Sequence, residues 1–99
     1  MIHRFSREEQ LIGAQGLQKL RAARVAVFGA GGVGGYTIEA LARCGVGSLT
    51  IVDGDSVSLT NINRQILALE DTLGRPKAEV ARERVLQINP ECQVEAKVL

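Results

Sequence analysis

Hydrophobic positions fall along this chain in short bursts, and their spacing changes from segment to segment. Residues 1–23 are polar, with Leu11, Ile12, Leu17 and Leu20 on an apolar face interrupted by Gly13 and Gly16. That pattern predicts two short helices with a turn between them. Arg24-Val-Ala-Val-Phe28 is a short β-branched run that stops at glycine, which predicts a buried strand. Gly29 to Gly35 forms a turn, Tyr36 to Arg43 a helix stopped by Gly45 and Gly47, and Leu49 to Val52 a second apolar strand ending in Asp53. Ser56 to Leu73 is a polar connection, long for a compact domain and therefore a functional candidate. A helix is expected over Lys77–Ile88, with Pro76 near its first turn and Val80, Ala81, Val85 and Ile88 on one face. Asn89-Pro90 ends it, and Gln93 to Val98 predicts a third strand.

The order β-α-β, long loop, α-β predicts an α/β chain: a Rossmann-like, doubly wound nucleotide-binding fold, here only its N-terminal β-α-β-α-β half. Residues 1–23 form an N-terminal helical segment and 24–99 the N-terminal part of a nucleotide-binding domain. Three parallel strands leave edges and faces uncovered. The last strand runs to Leu99 without a cap, so the chain is expected to be the front piece of a longer protein.

Length and composition narrow the function. Ninety-nine residues with 45% hydrophobic and 23% charged side chains suit one small globular domain. Twelve Lys and Arg face eleven Asp and Glu, so the net charge of +1 gives no general pull toward nucleic acid or membrane. Phe5, Phe28 and Tyr36 are the only aromatics, too few for a base-stacking platform. Cys44 and Cys92 lie too far apart for a zinc pair and are expected to be buried, reduced thiols; His3 is expected to be terminal and solvated. No apolar run reaches the roughly 20 residues of a membrane span. The N-terminus has no signal-peptide core, which points to the cytoplasm.

Gly29, Gly31 and Gly34 form G-x-G-x-x-G between a strand and a helix. Glycines there permit a tight turn and let phosphate approach the amides at the helix start; a ligand-free packing turn is the plainer alternative. Asp53 lies nineteen residues past Gly34, where a carboxylate can hold a ribose or simply cap the loop. So far a nicotinamide or flavin enzyme fits equally well. The segment from Asp53 to Gln65, followed by Gly74-Arg-Pro-Lys77, adds Arg64 and Lys77 as cations and Asn61 and Gln65 as neutral donors. Displacing pyrophosphate from ATP needs such cations on the leaving group, although each alone could be a solvated surface charge.

Gly-Ala-Gly-Gly-Val-Gly, Asp-Gly-Asp-Ser-Val, Asn-Ile-Asn-Arg-Gln and Gly-Arg-Pro-Lys, in this order, resemble the E1-like (ThiF/MoeB/HesA) adenylating superfamily. Arg4-Phe-Ser-Arg7, with Leu11-Ile-Gly13, Gly16-Leu and Leu20, resembles its N-terminal helix motif. By that resemblance Gly32, Asp53, Asn61, Arg64 and Lys77 match ATP-contacting positions. Arg7 matches an arginine that homodimers insert into the partner's ATP site, and Asp55 a position near metal and phosphates. Mg²⁺ is implied with ATP, its main aspartate lying beyond Leu99, and no metal ligand is assigned within the chain. Within the superfamily, Ala40-Leu-Ala-Arg43, Asn63-Arg-Gln-Ile66-Leu-Ala-Leu69 and Ile88-Asn-Pro-Glu-Cys92 look like the tRNA threonylcarbamoyladenosine dehydratase group. Glu8, where sulfur-carrier activators show glutamine, agrees with it.

The resemblance implies an ATP-dependent ligase-like enzyme that adenylates the carboxylate of N6-threonylcarbamoyladenosine at position 37 of tRNA and closes a ring. The first alternative is a sulfur-carrier adenylyltransferase acting on the C-terminal glycine of a ubiquitin-like protein, with a sulfur donor as a further partner. The second is an NAD(P)-dependent oxidoreductase, which leaves Asn61, Arg64 and Lys77 without a role. The 99 residues alone are expected to be inactive.

Overall fold

A computed structural model describes residues 3–99; Met1 and Ile2, the start of the predicted helical segment, lie outside the described residues. Helix α1 (Ser6–Ala22) is broken at Gly13, whose φ of 76° and ψ of 170° are not helical, so the two expected helices are present with Gly13 as the break. Strand β1 (Arg24–Phe28) leads through the glycine turn into α2 (Val33–Cys44), and Gly45 closes that helix. Strand β2 (Ser48–Val52), the long connection, α3 (Lys77–Ile88) and β3 (Gln93–Lys97) follow. Helix α2 starts three residues earlier than the sequence indicates. Gly34 and Gly35 were expected in the turn, but the first helical amides need no intrahelical partner, and both glycines are demanded by close packing.

The three strands are parallel in the order β1-β2-β3, with Val25 opposite Leu49, Val27 opposite Ile51, and Leu49 and Ile51 opposite Val94 and Ala96. Side chains alternate across the sheet. Leu49 and Ile51 are buried on one side with Ile38, Ala42 and Val46 from the α2 segment and Ala78, Ala81 and Val85 from α3. On the other side Ala26 and Phe28 of β1 and Gln93, Glu95 and Lys97 of β3 are exposed. Strand β1 is therefore buried on one face only, through Val25 and Val27, where its composition suggests burial throughout; Phe28, on the uncovered face, is 80% exposed. Cys92 is buried as expected but Cys44 is exposed, because the end of α2 turns its last residue outward. Burial raises the pKa of both thiols, with Glu8 adding to the rise at Cys44. His3 is not freely solvated: it is half-buried, its Nδ1 accepts from the Phe5 amide at 3.1 Å, and its Nε2 lies 3.6 Å from Glu9.

The long connection is better anchored than its polarity suggests. It holds short 3₁₀ turns at Leu59–Asn61 and Glu70–Thr72, and it sends Val57, Leu67 and Ala68 into the core. Between α2 and α3 stands one carboxylate, Glu39, whose side chain is 12% exposed. Its Oε1 accepts from Arg43 Nε (3.0 Å) and Nη2 (2.8 Å) and from Arg84 Nη2 (3.2 Å), while its Oε2 accepts from Arg84 Nε. The Arg84 guanidinium holds the Glu39 carboxyl below the usual glutamate range; burial opposes this and Arg43 adds to it.

Candidate nucleotide site

The carboxyl ends of the strands bring most of the sequence-selected residues together. The Gly29 amide donates to Val52 O (2.8 Å), which ties the start of the glycine turn to the end of β2. Asp53, the next residue on β2, accepts from the Ala30 amide at Oδ2 and from the Asp55 amide at Oδ1, both at 2.7 Å. Both oxygens thus brace backbone, the loop-capping role, yet each keeps lone-pair capacity for a further donor. The Asp55 carbonyl accepts from the Lys77 amide at 2.9 Å, and Ser56 bridges Pro76, so the head of α3 hangs from the strand that carries Asp53.

Glycine is required at several points in the turn, beginning with Gly29 at φ 100°. Gly32, which precedes α2, has φ 54° and ψ −127°, a backbone region closed to side chains with a Cβ. At Gly34 an added Cβ would sit 1.9 Å from Gly29 O. At Gly31 the nearest neighbour is instead the end of the Gln65 side chain, 2.5 Å from where a Cβ would stand, so Gln65 lies over the turn. Gly35, which motif spacing does not select, packs its α-carbon between Ala30 O and Ile66 Cγ2. Its place beside Gly34, in a run of glycines longer than the motif needs, was the available signal.

Asn61 is buried as the closing residue of a 3₁₀ turn, and its Oδ1 accepts from the Ser58 amide (2.9 Å) and Ser58 Oγ (3.1 Å). Only its Nδ2 donors remain for a ligand. Ser58, missed by sequence reasoning, holds that orientation. Arg64 is exposed, with Nη1 donating to Thr60 O (2.7 Å) and Asn63 Oδ1 (3.1 Å); no carboxylate pairs with it among the described residues. It opens onto a shallow hollow with Tyr36, Ile62, Gln65 and Leu69.

Lys77 is the most informative residue. It is only 8% exposed, yet its ammonium has no ion pair and no hydrogen bond among the described residues. The stem is packed and the ammonium keeps contact with solvent, so the charge is open to an arriving anion. The half-buried arginines are both paired, Arg84 with Glu39 and Arg75 with Glu83.

Arg7 is not part of this constellation. It is exposed in the first turn of α1, next to Phe5, which packs on Gly45 at the far end of α2. At 1.5 Å per residue, the length of α2 (twelve residues) puts roughly 18 Å between that end and the glycine turn. Asp55 is exposed, and its carboxylate accepts no hydrogen bond among the described residues. No three His, Cys, Asp or Glu side chains gather into a metal cage among the described residues. Mg²⁺ bound through phosphates needs only one or two protein carboxylates, which Asp55 can supply.

Comparison with known proteins agrees with this geometry. The chain is 52% identical over 94 residues to a tRNA threonylcarbamoyladenosine dehydratase of Bacillus subtilis, covering 95% of this chain and 37% of that protein. It is 41% identical over 95 residues to the sulfur carrier protein ThiS adenylyltransferase of Escherichia coli, covering 94% and 38%. The crystal structure of the E. coli tRNA N6-threonylcarbamoyladenosine dehydratase TcdA in complex with ATP superposes with a TM-score of 0.95 at 49% identity, over 97% of this chain and 40% of that one. The chain thus spans well under half the length of these relatives. The ThiF family profile matches residues 5–99, and with the glycine turn, the braced Asp53 and the unpartnered Lys77 in place, the chain belongs to the ThiF family.

Proposed function

We propose that this chain is the ATP-binding part of a tRNA threonylcarbamoyladenosine dehydratase, and that Gly29, Gly31, Gly32, Gly34, Asp53, Asp55, Asn61, Arg64, Gln65 and Lys77 line its nucleotide site. The observation that carries the reading is Lys77, a largely buried side chain whose ammonium reaches the surface without a counter-charge among the described residues, at the head of a helix hung from the Asp53–Asp55 loop. A triphosphate supplies the missing anion. The amides of the glycine turn and the start of α2 face another part of the same phosphate chain, and Asp53 accepts a ribose hydroxyl. The relatives at about 50% identity that are named tRNA threonylcarbamoyladenosine dehydratases support the substrate.

A carboxylate oxygen of N6-threonylcarbamoyladenosine at position 37 attacks the α-phosphorus, the bond to the β-phosphate oxygen breaks, and pyrophosphate leaves. The carbamoyl group then attacks the acyl carbon, loses a proton and expels AMP. The carboxylate oxygen departs with AMP, so the nucleoside loses the elements of water. The protein aligns carboxylate and phosphorus and neutralises the departing pyrophosphate. Lys77 and Arg64 do so from this chain, and Arg7 of a second copy in a homodimer. Asp55 would hold Mg²⁺ against the phosphates, where the ion adds charge neutralisation. A tRNA and ATP substrate pair sets the work in the cytoplasm, and among the described residues no helix is long and apolar enough to cross a membrane.

The test is to incubate the protein that carries this chain with ATP, Mg²⁺ and tRNA bearing threonylcarbamoyladenosine, then analyse nucleosides by mass spectrometry. A product lighter by one water, dependent on ATP, is expected. An untouched nucleoside together with transfer of AMP to a ubiquitin-like carrier would replace this reading with the sulfur-carrier one, which uses the same nucleotide residues.

A further inference from the structure

We infer that Glu39 is a positioning residue for the nucleotide site, acting through its clamp on Arg84 to fix Lys77 relative to the glycine turn; the inference rests on the proposal that both contact ATP phosphates. Helix α2 begins at the glycine turn and α3 begins at Lys77, so the distance between the two phosphate-facing groups depends on how these helices are held together as well as on the backbone ties through Asp53 and Asp55. The side-chain polar link between them among the described residues is the Glu39–Arg84 pair. It lies six residues into α2 and seven residues into α3, about 9 and 10 Å along each axis from the site. A two-pronged guanidinium–carboxylate contact fixes orientation as well as distance. Arg43, one turn along α2, fills the remaining capacity of Oε1, so the carboxylate cannot swing away without losing several charge-assisted bonds. Beside it the helices bury Ile38 and Ala42 of α2 and Ala78, Ala81 and Val85 of α3 in the common core. The clamp adds an oriented polar tie to that non-directional packing.

The test is a double-mutant cycle on ATP affinity, measured calorimetrically on the protein that carries this chain. Glu39→Gln is expected to weaken ATP on the order of 10-fold when Lys77 is present and to have little further effect in a Lys77→Met background. Arg84→Lys, which keeps charge but loses the fork, serves if Glu39→Gln does not fold, and it is expected to behave in the same way. Equal weakening in both backgrounds would make Glu39 a merely structural residue and overturn the inference, as would unchanged ATP affinity in Glu39→Gln. If Lys77→Met itself leaves ATP affinity unchanged, the assignment of Lys77 to the phosphates fails first, and the positioning role falls with it.

Discussion

Replacing Lys77 by methionine separates what the residue does in the fold from what it contributes to the site. Methionine is unbranched, of similar length, and close to lysine in helix propensity, so the first turn of α3 has no reason to change. The side chain is 8% exposed: its stem is packed, while its ammonium keeps contact with solvent and has no ion pair among the described residues, so methionine keeps the packing and removes no stabilising contact. Stability is therefore expected to change by less than about 1 kcal/mol, and at roughly 2–4 °C per kcal/mol for a protein of 150–250 residues Tm moves by less than about 4 °C. ATP, in contrast, loses charge-assisted hydrogen bonds worth about 1.5–3 kcal/mol, a weakening of about 10- to 150-fold. Thermal unfolding without nucleotide reads the first effect and ATP titration the second, on the same two proteins. A fold left intact beside a weakened site is the substance of the prediction. A larger fall in Tm in the nucleotide-free variant would mean that Lys77 has a stabilising partner, and an unchanged ATP affinity would remove it from the site.

Gly34→Ala drives a Cβ to 1.9 Å from a backbone carbonyl that has nowhere to go, whereas Gly31→Ala meets only the flexible end of Gln65. Gly34→Ala should therefore cost about 1–3 kcal/mol or more in denaturant titration, and Gly31→Ala well under that. Glu39 has a depressed folded pKa, so its stabilisation is complete above the unfolded glutamate value and is lost as pH falls through the folded one. Glu39→Gln should cost about 1–3 kcal/mol at neutral pH and flatten the acid limb of a Tm-against-pH curve; an unaltered limb would show that the clamp does not couple to folding. Arg64→Ala should slow adenylation on the order of 10²-fold in ATP–pyrophosphate exchange, and an unaltered rate would remove Arg64 from the site.

The sequence was most legible where a single physical rule acts alone. Helix α3 begins and ends at the expected residues because Pro76 and Asn89-Pro90 mark its limits and its apolar face is regular. Strand β1 also has its expected limits, but its composition could not show that one of its faces is uncovered, since a short apolar run looks the same whether one face or two are covered. At the site, glycine spacing and the carboxylate after β2 pointed to a nucleotide, while the double bracing by Asp53 depends on backbone amides, which leave no trace in residue identity. The status of Lys77 was hidden for a related reason. A lysine at a helix start resembles a surface charge until its neighbours show that it is buried and unpaired. The long connection looked like polar coil because its core anchors, Val57, Leu67 and Ala68, are too widely spaced to form a period.

The two margins of the sheet are chemically unlike. Along β3 the exposed side chains are Gln93, Glu95 and Lys97, the last two 3.7 Å apart as an ion pair, and charge of this kind discourages another strand from docking. Along β1 the neighbours are Phe28 and Val33, both at least 80% exposed, beside a row of backbone donors and acceptors without strand partners among the described residues. A strand that adds at β1 becomes the next neighbour of the glycine turn, so whatever pairs with that margin also decides what stands beside the proposed nucleotide site.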